Sequence, residues 1–389
     1  MIAILCAAVV AVPLYWLLVP AWTRRDVLAL ASLTLLAAFD PRLLVLVVGT
    51  ATVLAVAMRR LAARPDRLVA GFLLLGLTAL FIWNKRSGGV AGALATQAPL
   101  ALMGVSYLVL KAAAAVVETH RGTLAPAGFR DLLAWLAFLP TYPAGPIMPL
   151  EHFEAQHPAA SRATVLAGLE RMLVGAVKAL IVAYHLGRFA DGVLADPAAH
   201  GRATVLLAVY ALTFRFYLDF SGYSDIAIGL GAALGYRIDE NFDAPLVRRN
   251  LVQLWQRWHM SLTRWLRTYV FVPVSRALLR TLPSLDDRVC IAAAQLVTMT
   301  ACGLWHGLTV NFALWGLSQG IGLVVVGIVA RDLGPKLPAP FLSWWRTSPV
   351  AAGLSVLLTF HAFALPLVFV ATDVSGALAI LRVVALGRP

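Results

Sequence analysis

The chain has 389 residues, 60% of them hydrophobic and only 13% charged, and its mean hydropathy is +0.81. A soluble domain carries about 25% charged residues, so this composition excludes a soluble globular protein and indicates an integral membrane protein. The net charge of +13 would suggest nucleic acid in a soluble chain. Here the basic residues gather at the ends of apolar stretches, as membrane topology requires, and nucleic-acid binding is set aside.

Apolar stretches of about 17–25 residues mark membrane crossings. In chain order they are expected near 1–21, 27–39 paired with 42–57, 68–83, 97–117, 132–150, 164–188, 203–220, 223–236, 265–282, 289–308, 310–330, 349–371 and 374–386. Several are too short or too polar for a simple crossing, so some are expected to be re-entrant or interfacial. The fold expected is all-α and polytopic, with about ten to twelve crossings.

The first apolar run has its arginines, Arg24 and Arg25, after it and no convincing cleavage site, so it reads as an uncleaved helix. Segments 27–39 and 42–57 are expected to form a hairpin turning at Asp40-Pro41. The positive-inside rule then puts Arg24-Arg25, the Arg59–Arg67 group and the Arg237–Arg280 stretch on the cytoplasmic side, with Lys85-Arg86 as an exception. Cys6, Cys290 and Cys302 lie in apolar segments without CxxC spacing, so neither a disulfide framework nor a zinc site is expected. No repeat or long linker divides the chain, and one membrane domain over 1–389 is expected, with its core at about 214–330.

Polar residues are densest between Phe214 and Phe271. Asp219, Ser221, Tyr223, Ser224 and Asp225 fall in the window Tyr217–Asp225, where such groups cannot simply face lipid. Gly222 suggests a helix break. Two readings stand: a polar junction that stabilises the fold, or a substrate-binding element. After Glu240-Asn241-Phe242-Asp243-Ala244-Pro245, Pro245 disfavours helix at Ala244 and Asn250 is placed to cap the next segment. From Leu251 to Leu266, Trp255, Trp258, Leu262 and Trp265 recur at helical spacing, with Arg257, Arg264 and Arg267 largely on the other side. That pattern predicts an amphipathic helix at the membrane interface.

The residue that most requires explanation is His306, in Gly303-Leu304-Trp305-His306-Gly307. It lies inside the apolar region from Val289 to Val326, where an ionisable ring is a functional candidate by default.

The segments Asp219–Asp225, Glu240–Pro245, Trp255–Leu262 and Trp305–Gly307 resemble, in order and spacing, signature motifs of the membrane-bound O-acyltransferase (MBOAT) family. Weaker similarity covers nearly the whole chain, including Gly104–Tyr107 and Phe138–Ile147. Within the family, Phe138–Ile147, Tyr269–Val272 and His361 look like the branch that transfers D-alanine to teichoic acid. The branch that acetylates alginate continues with a PLGG-like segment, where this chain has Pro273-Val274-Ser275-Arg276.

The resemblance implies helices around a central tunnel joining the two membrane faces. It implies transfer of an acyl group from a cytoplasmic thioester donor, a phosphopantetheinyl carrier protein or acyl-CoA, to a hydroxyl of a cell-envelope polymer or of an extracytoplasmic acyltransferase partner. No permanently bound cofactor or metal is implied, and the protein would reside in the cytoplasmic (inner) membrane. By motif, His306 is the general base and His361 a second candidate that orients the acceptor or shuttles a proton. Trp305, His259, Trp258, Arg257, Ser261, Asp219, Ser221, Tyr223, Asp225 and Asn241 are candidates for the donor or tunnel lining. Because a single base needs no acyl-enzyme, direct transfer is the expected mechanism.

Other chemistries fit less well. The three histidines lack the close ligand spacing of a metal site. Ser221 is not in a GxSxG elbow. A transporter is the non-enzyme alternative, since broken helices and buried polar groups also mark transporters.

Overall fold

The computed structural model describes residues 2–86 and 101–387, so positions 97–100 of the expected span near 97–117 lie outside the described residues. Among the described residues the regular structure is entirely helical, the arrangement that satisfies backbone groups within each segment in lipid. The chain gathers into two compact units: Met1–Val177 with Gly222–Glu240, and Lys178–Ser221 with Asn241–Pro389.

Among the described residues the first eight helices are α1 (Ile2–Leu18), α2 (Arg24–Phe39), α3 (Pro41–Ala63), α4 (Arg67–Arg86), α5 (Ala101–Arg121), α6 (Phe129–Leu136), α7 (Leu150–Glu154) and α8 (Arg162–Ala176). The expected turn at Asp40-Pro41 is present. Asp40 is extended and accepts a hydrogen bond from the Arg42 N–H, and Pro41 opens α3, the first-turn position where its missing N–H costs nothing. The span expected over 132–150 does not form. Helix α6 stops at Leu136, and Pro140, Pro143, Pro146 and Pro149 keep the chain from helix until α7. Trp135 fastens that stretch by donating its indole N–H to the Met148 carbonyl at 2.9 Å. Buried Lys111 donates to the Trp135 carbonyl at 3.3 Å and to the Thr141 hydroxyl at 3.2 Å.

A π-helical turn, Val177–Val182, leads into α9 (Ala183–Leu194). Helix α10 (Arg202–Ala233) then runs for 32 residues, about 48 Å at 1.5 Å per residue. The two spans expected at 203–220 and 223–236 are thus one helix, unbroken at Gly222. Close packing at this point is permitted by Gly175 of α8: a Cβ built on it would stand 2.4 Å from the Gly222 carbonyl oxygen. Small residues allow this approach between helices in lipid.

The second unit continues with α11 (Leu251–Trp255), α12 (Met260–Leu266), a π-helical turn at Arg267–Phe271 and α13 (Val272–Thr281). The single interfacial helix expected over Leu251–Leu266 is therefore two short helices. The break falls at His259, whose backbone is left-handed with φ 43°. Trp255, Trp258 and Leu262 are buried and Trp265 is half-buried; the first three are core rather than membrane anchor. Asn250 caps α11 as expected, its side chain accepting from the Gln253 N–H.

Helices α14 (Asp287–His306) and α15 (Val310–Ile328) form a tight hairpin, and α16 (Ala339–Thr347) follows. The C-terminal region holds α17 (Pro349–Ala364), a 3-10 turn at Leu365–Leu367, α18 (Val368–Ala371) and α19 (Val374–Leu386). Among the described residues six stretches are long and apolar enough to cross a membrane: Pro41–Ala63, Arg67–Arg86, Arg202–Ala233, Asp287–His306, Val310–Lys336 and Pro349–Ala371.

Candidate functional site

His306 is the last residue of α14. Gly307 ends the helix in extended conformation, and a Cβ there would stand 2.3 Å from the Phe312 ring. One turn earlier, a Cβ on Gly303 would stand 2.1 Å from the Phe312 carbonyl oxygen. Only glycine at both positions lets the start of α15 lie this close to the end of α14. The half-buried His306 ring consequently stands edge-on between two indoles, Trp305 at 4.7 Å and Trp315 of α15 at 5.3 Å.

His259 is 2% exposed. Its Nδ1 lies 3.2 Å from Asn241 Oδ1, which also accepts from the Ser261 N–H at 3.2 Å and the Ser261 hydroxyl at 2.9 Å. An amide oxygen only accepts, so His259 Nδ1 carries the proton and Nε2 the lone pair. Burial first, and His306 second, push the His259 imidazole well below its ordinary range, so it is neutral. The ring meets Phe220 edge-on at 4.6 Å and lies 6.3 Å from Trp305. Non-glycine residues in left-handed backbone are uncommon and cluster at functional sites. Here the strain is held by Asn241, whose carbonyl oxygen accepts from the Met260 N–H at 2.9 Å.

Behind these rings lies an aromatic core of Trp255, Trp258, Trp315 and Phe363. Trp258 packs on Phe363 at 4.8 Å and on Tyr217 at 6.0 Å. The Trp315 indole N–H and the Ser221 hydroxyl are buried and have no hydrogen-bond partner among the described residues.

His361 is engaged otherwise. Its Nδ1 donates to the Leu357 carbonyl at 2.7 Å, so Nε2 accepts from the Tyr210 hydroxyl at 2.5 Å. Both ring nitrogens are committed, and the ring packs against Tyr210 and Phe360. Arg257 forms an ion pair with Asp243, which Arg248 also binds. Arg264 and Arg267 are exposed, as is Asp219, one helical turn from Arg215.

Tyr223 and Asp225 lie in the first unit. The Tyr223 hydroxyl bonds to the Ala144 backbone. Asp225 accepts from Arg171 Nε at 3.0 Å, and the same guanidinium grips Glu240 with two bonds of 2.6 Å. That geometry fits the fold-stabilising reading of Asp225. Of the expected residues, the structure joins His306, Trp305, His259, Asn241, Ser261 and Trp258 in one cluster with its aromatic backing.

Sequence reasoning missed Phe220, Trp315, Asn311, Gln319 and Tyr210. Asn311 and Gln319 were detectable as amides inside an apolar span, where a polar group needs a partner.

The structure is thus an all-helical membrane protein with an aromatic-walled histidine at a helix end, paired with a buried neutral histidine. Residues 100–333 match the family described as MBOAT, membrane-bound O-acyltransferase family. The chain belongs to that family. It is 32% identical over 247 residues to the probable alginate O-acetylase of Azotobacter vinelandii, covering 62% of this chain and 47% of that protein. It is 28% identical over 239 residues to the teichoic acid D-alanyltransferase of Streptococcus thermophilus, covering 59% and 58%. With the peptidoglycan O-acetyltransferase of Helicobacter pylori it shares 27% identity over 202 residues, covering 51% and 37%. The matches span about half the length of these relatives.

Proposed function

We propose that this protein is a membrane O-acyltransferase that moves an acyl group (D-alanyl, acetyl or similar) from a cytoplasmic thioester across the membrane to a hydroxyl. The acceptor is a cell-envelope polymer or a partner acyltransferase outside. The observation that carries this reading is His306, half-buried at the end of α14 between Trp305 and Trp315. In the reaction the imidazole takes the acceptor's proton as the oxygen attacks the thioester carbonyl. A C–O bond forms, the C–S bond breaks, and the leaving thiolate takes the proton from the imidazolium. Such base catalysis supplies about 10²–10⁴-fold. The charge that develops on the carbonyl oxygen needs a donor, and the unpartnered Trp315 indole N–H is the group we assign to it. His259 stays neutral and acts as a polar neighbour rather than a second base.

The full assembly in this reading has ten to twelve crossings around a tunnel in the cytoplasmic (inner) membrane. The exposed Arg264 and Arg267 suit an anionic donor, an acyl carrier protein or acyl-CoA. For the acyl group, the higher identity to the alginate O-acetylase favours acetyl as a second reading beside D-alanyl.

The test uses purified protein with labelled acetyl-CoA or acylated carrier and candidate acceptors, comparing wild type with His306→Ala. Transfer should fall by at least about 100-fold while the variant remains folded. Full activity in the variant would remove His306 from the reaction. A wild type that moves a solute and never consumes thioester would establish the transporter alternative.

A further inference from the structure

Helix α15 carries Asn311, Trp315 and Gln319 at intervals of four residues, and i, i+4 neighbours lie along one side of a helix. The middle residue is the indole against His306. Both flanking amides leave their own helix and bind main-chain oxygens of the C-terminal segment. Gln319 Nε2 donates to the Ala362 carbonyl at 3.4 Å. Four residues beyond Ala362 stands Pro366, which has no N–H, so that carbonyl lacks its helical partner. Asn311 Nδ2 donates to the carbonyls of Phe369 at 2.9 Å and Thr372 at 3.2 Å, where α18 ends and carbonyls again lack helical partners.

Each brace has a second arm inside the site. Gln319 Oε1 accepts from the Trp255 indole N–H at 3.4 Å, and the Trp255 ring lies 6.1 Å from Trp315. Asn311 Oδ1 accepts from the Thr309 hydroxyl at 2.5 Å, which ties down the turn that follows His306. Orphaned carbonyls occur at a few fixed places along a helix. Two amides eight residues apart that bind two such places therefore set the rotation and depth of α15 against the C-terminal segment.

We infer that Asn311 and Gln319 are positioning residues: by docking on the carbonyls freed at Pro366 and at the end of α18, they hold Trp315, and through it the His306 ring, in reacting geometry. The inference rests on the acyl-transfer reading of His306. Misplacement of a reacting group by about 1 Å costs on the order of 10²-fold in rate, so a lost brace should lower kcat rather than raise KM.

The test is steady-state transfer from a labelled acyl thioester by the full-length protein, with melting temperature measured in parallel. The variants are Asn311→Leu, Gln319→Leu, Pro366→Ala and the last two combined. Each amide variant should lose about tenfold or more in kcat with the thioester KM little changed; because it leaves buried polar groups unpaired it should also melt lower, whereas Pro366→Ala should not. Pro366→Ala returns a main-chain N–H to the Ala362 carbonyl and removes no side-chain brace. It should still lower kcat, because the new N–H draws the Ala362 carbonyl into the helical ladder and away from Gln319 Nε2, which reaches it at 3.4 Å. The double variant should then lose no more than the worse single one, the non-additivity expected of two parts of one device. Full kcat in Pro366→Ala, additive losses in the double variant, or losses that merely track melting temperature would each overturn the inference. A wild type that never consumes thioester would overturn the acyl-transfer reading itself, which separates the two failures.

Discussion

At the scale of the residue, His259 is the most constrained group in the site. It is buried, left-handed in backbone, and bonded through Nδ1 to Asn241. In an unfolded chain a histidine titrates near 6.5, whereas burial and His306 hold the folded His259 well below that. Below about pH 6.5 the unfolded state therefore binds the extra proton, and stability falls as pH falls. Replacing His259 with asparagine should narrow the difference in melting temperature between pH 7 and pH 5; an unchanged acid slope would show that His259 does not contribute to it. The converse change is Asn241→Asp, which sets a carboxylate where three donors now meet one amide oxygen. An opposite charge at that distance favours the imidazolium. Isotope-labelled histidine should then show His259 protonating at higher pH than in the wild type, and a resonance that stays neutral throughout would contradict this.

At the scale of the element, the α14–α15 hairpin sets the site. It is built on Gly303 and Gly316, each of whose added Cβ would stand 3.1 Å from the other's Cα. Gly303→Ala forces the two helices apart at the turn before His306. Overpacking of this kind costs typically 1–3 kcal/mol, so the variant should melt at lower temperature and lose transfer activity. Normal melting and normal activity together would mean that the hairpin yields without disturbing the histidine. The short helices α11 and α12 flank it. Trp255 and Trp258 sit at helical spacing in the sequence, and both pack into the interior beside Phe363, just ahead of the interruption at His259.

At the scale of the whole molecule, local chemistry was legible and long-range chemistry was not. The Asp40-Pro41 turn, the Asn250 cap and the apolar run of α19 could be read directly, because each depends on neighbours within a few residues. His306 was legible because an ionisable ring in an apolar run is conspicuous on its own. The close approach of α8 to α10 at Gly222 was hidden, since it is made by Gly175, far away in sequence. The role of Gln319 was hidden for the same reason: its carbonyl partner is freed by a proline 47 positions downstream (366 − 319). The division of the chain has a further consequence, in the order of synthesis. Each compact unit is assembled from two separate stretches, and α10 contributes Arg202–Ser221 to one and Gly222–Ala233 to the other. The last stretch of the first unit ends at Glu240. The second joins Lys178–Ser221 to residues from Asn241 onward, so Asn241, His259 and His306 are synthesised only after every stretch of the first unit.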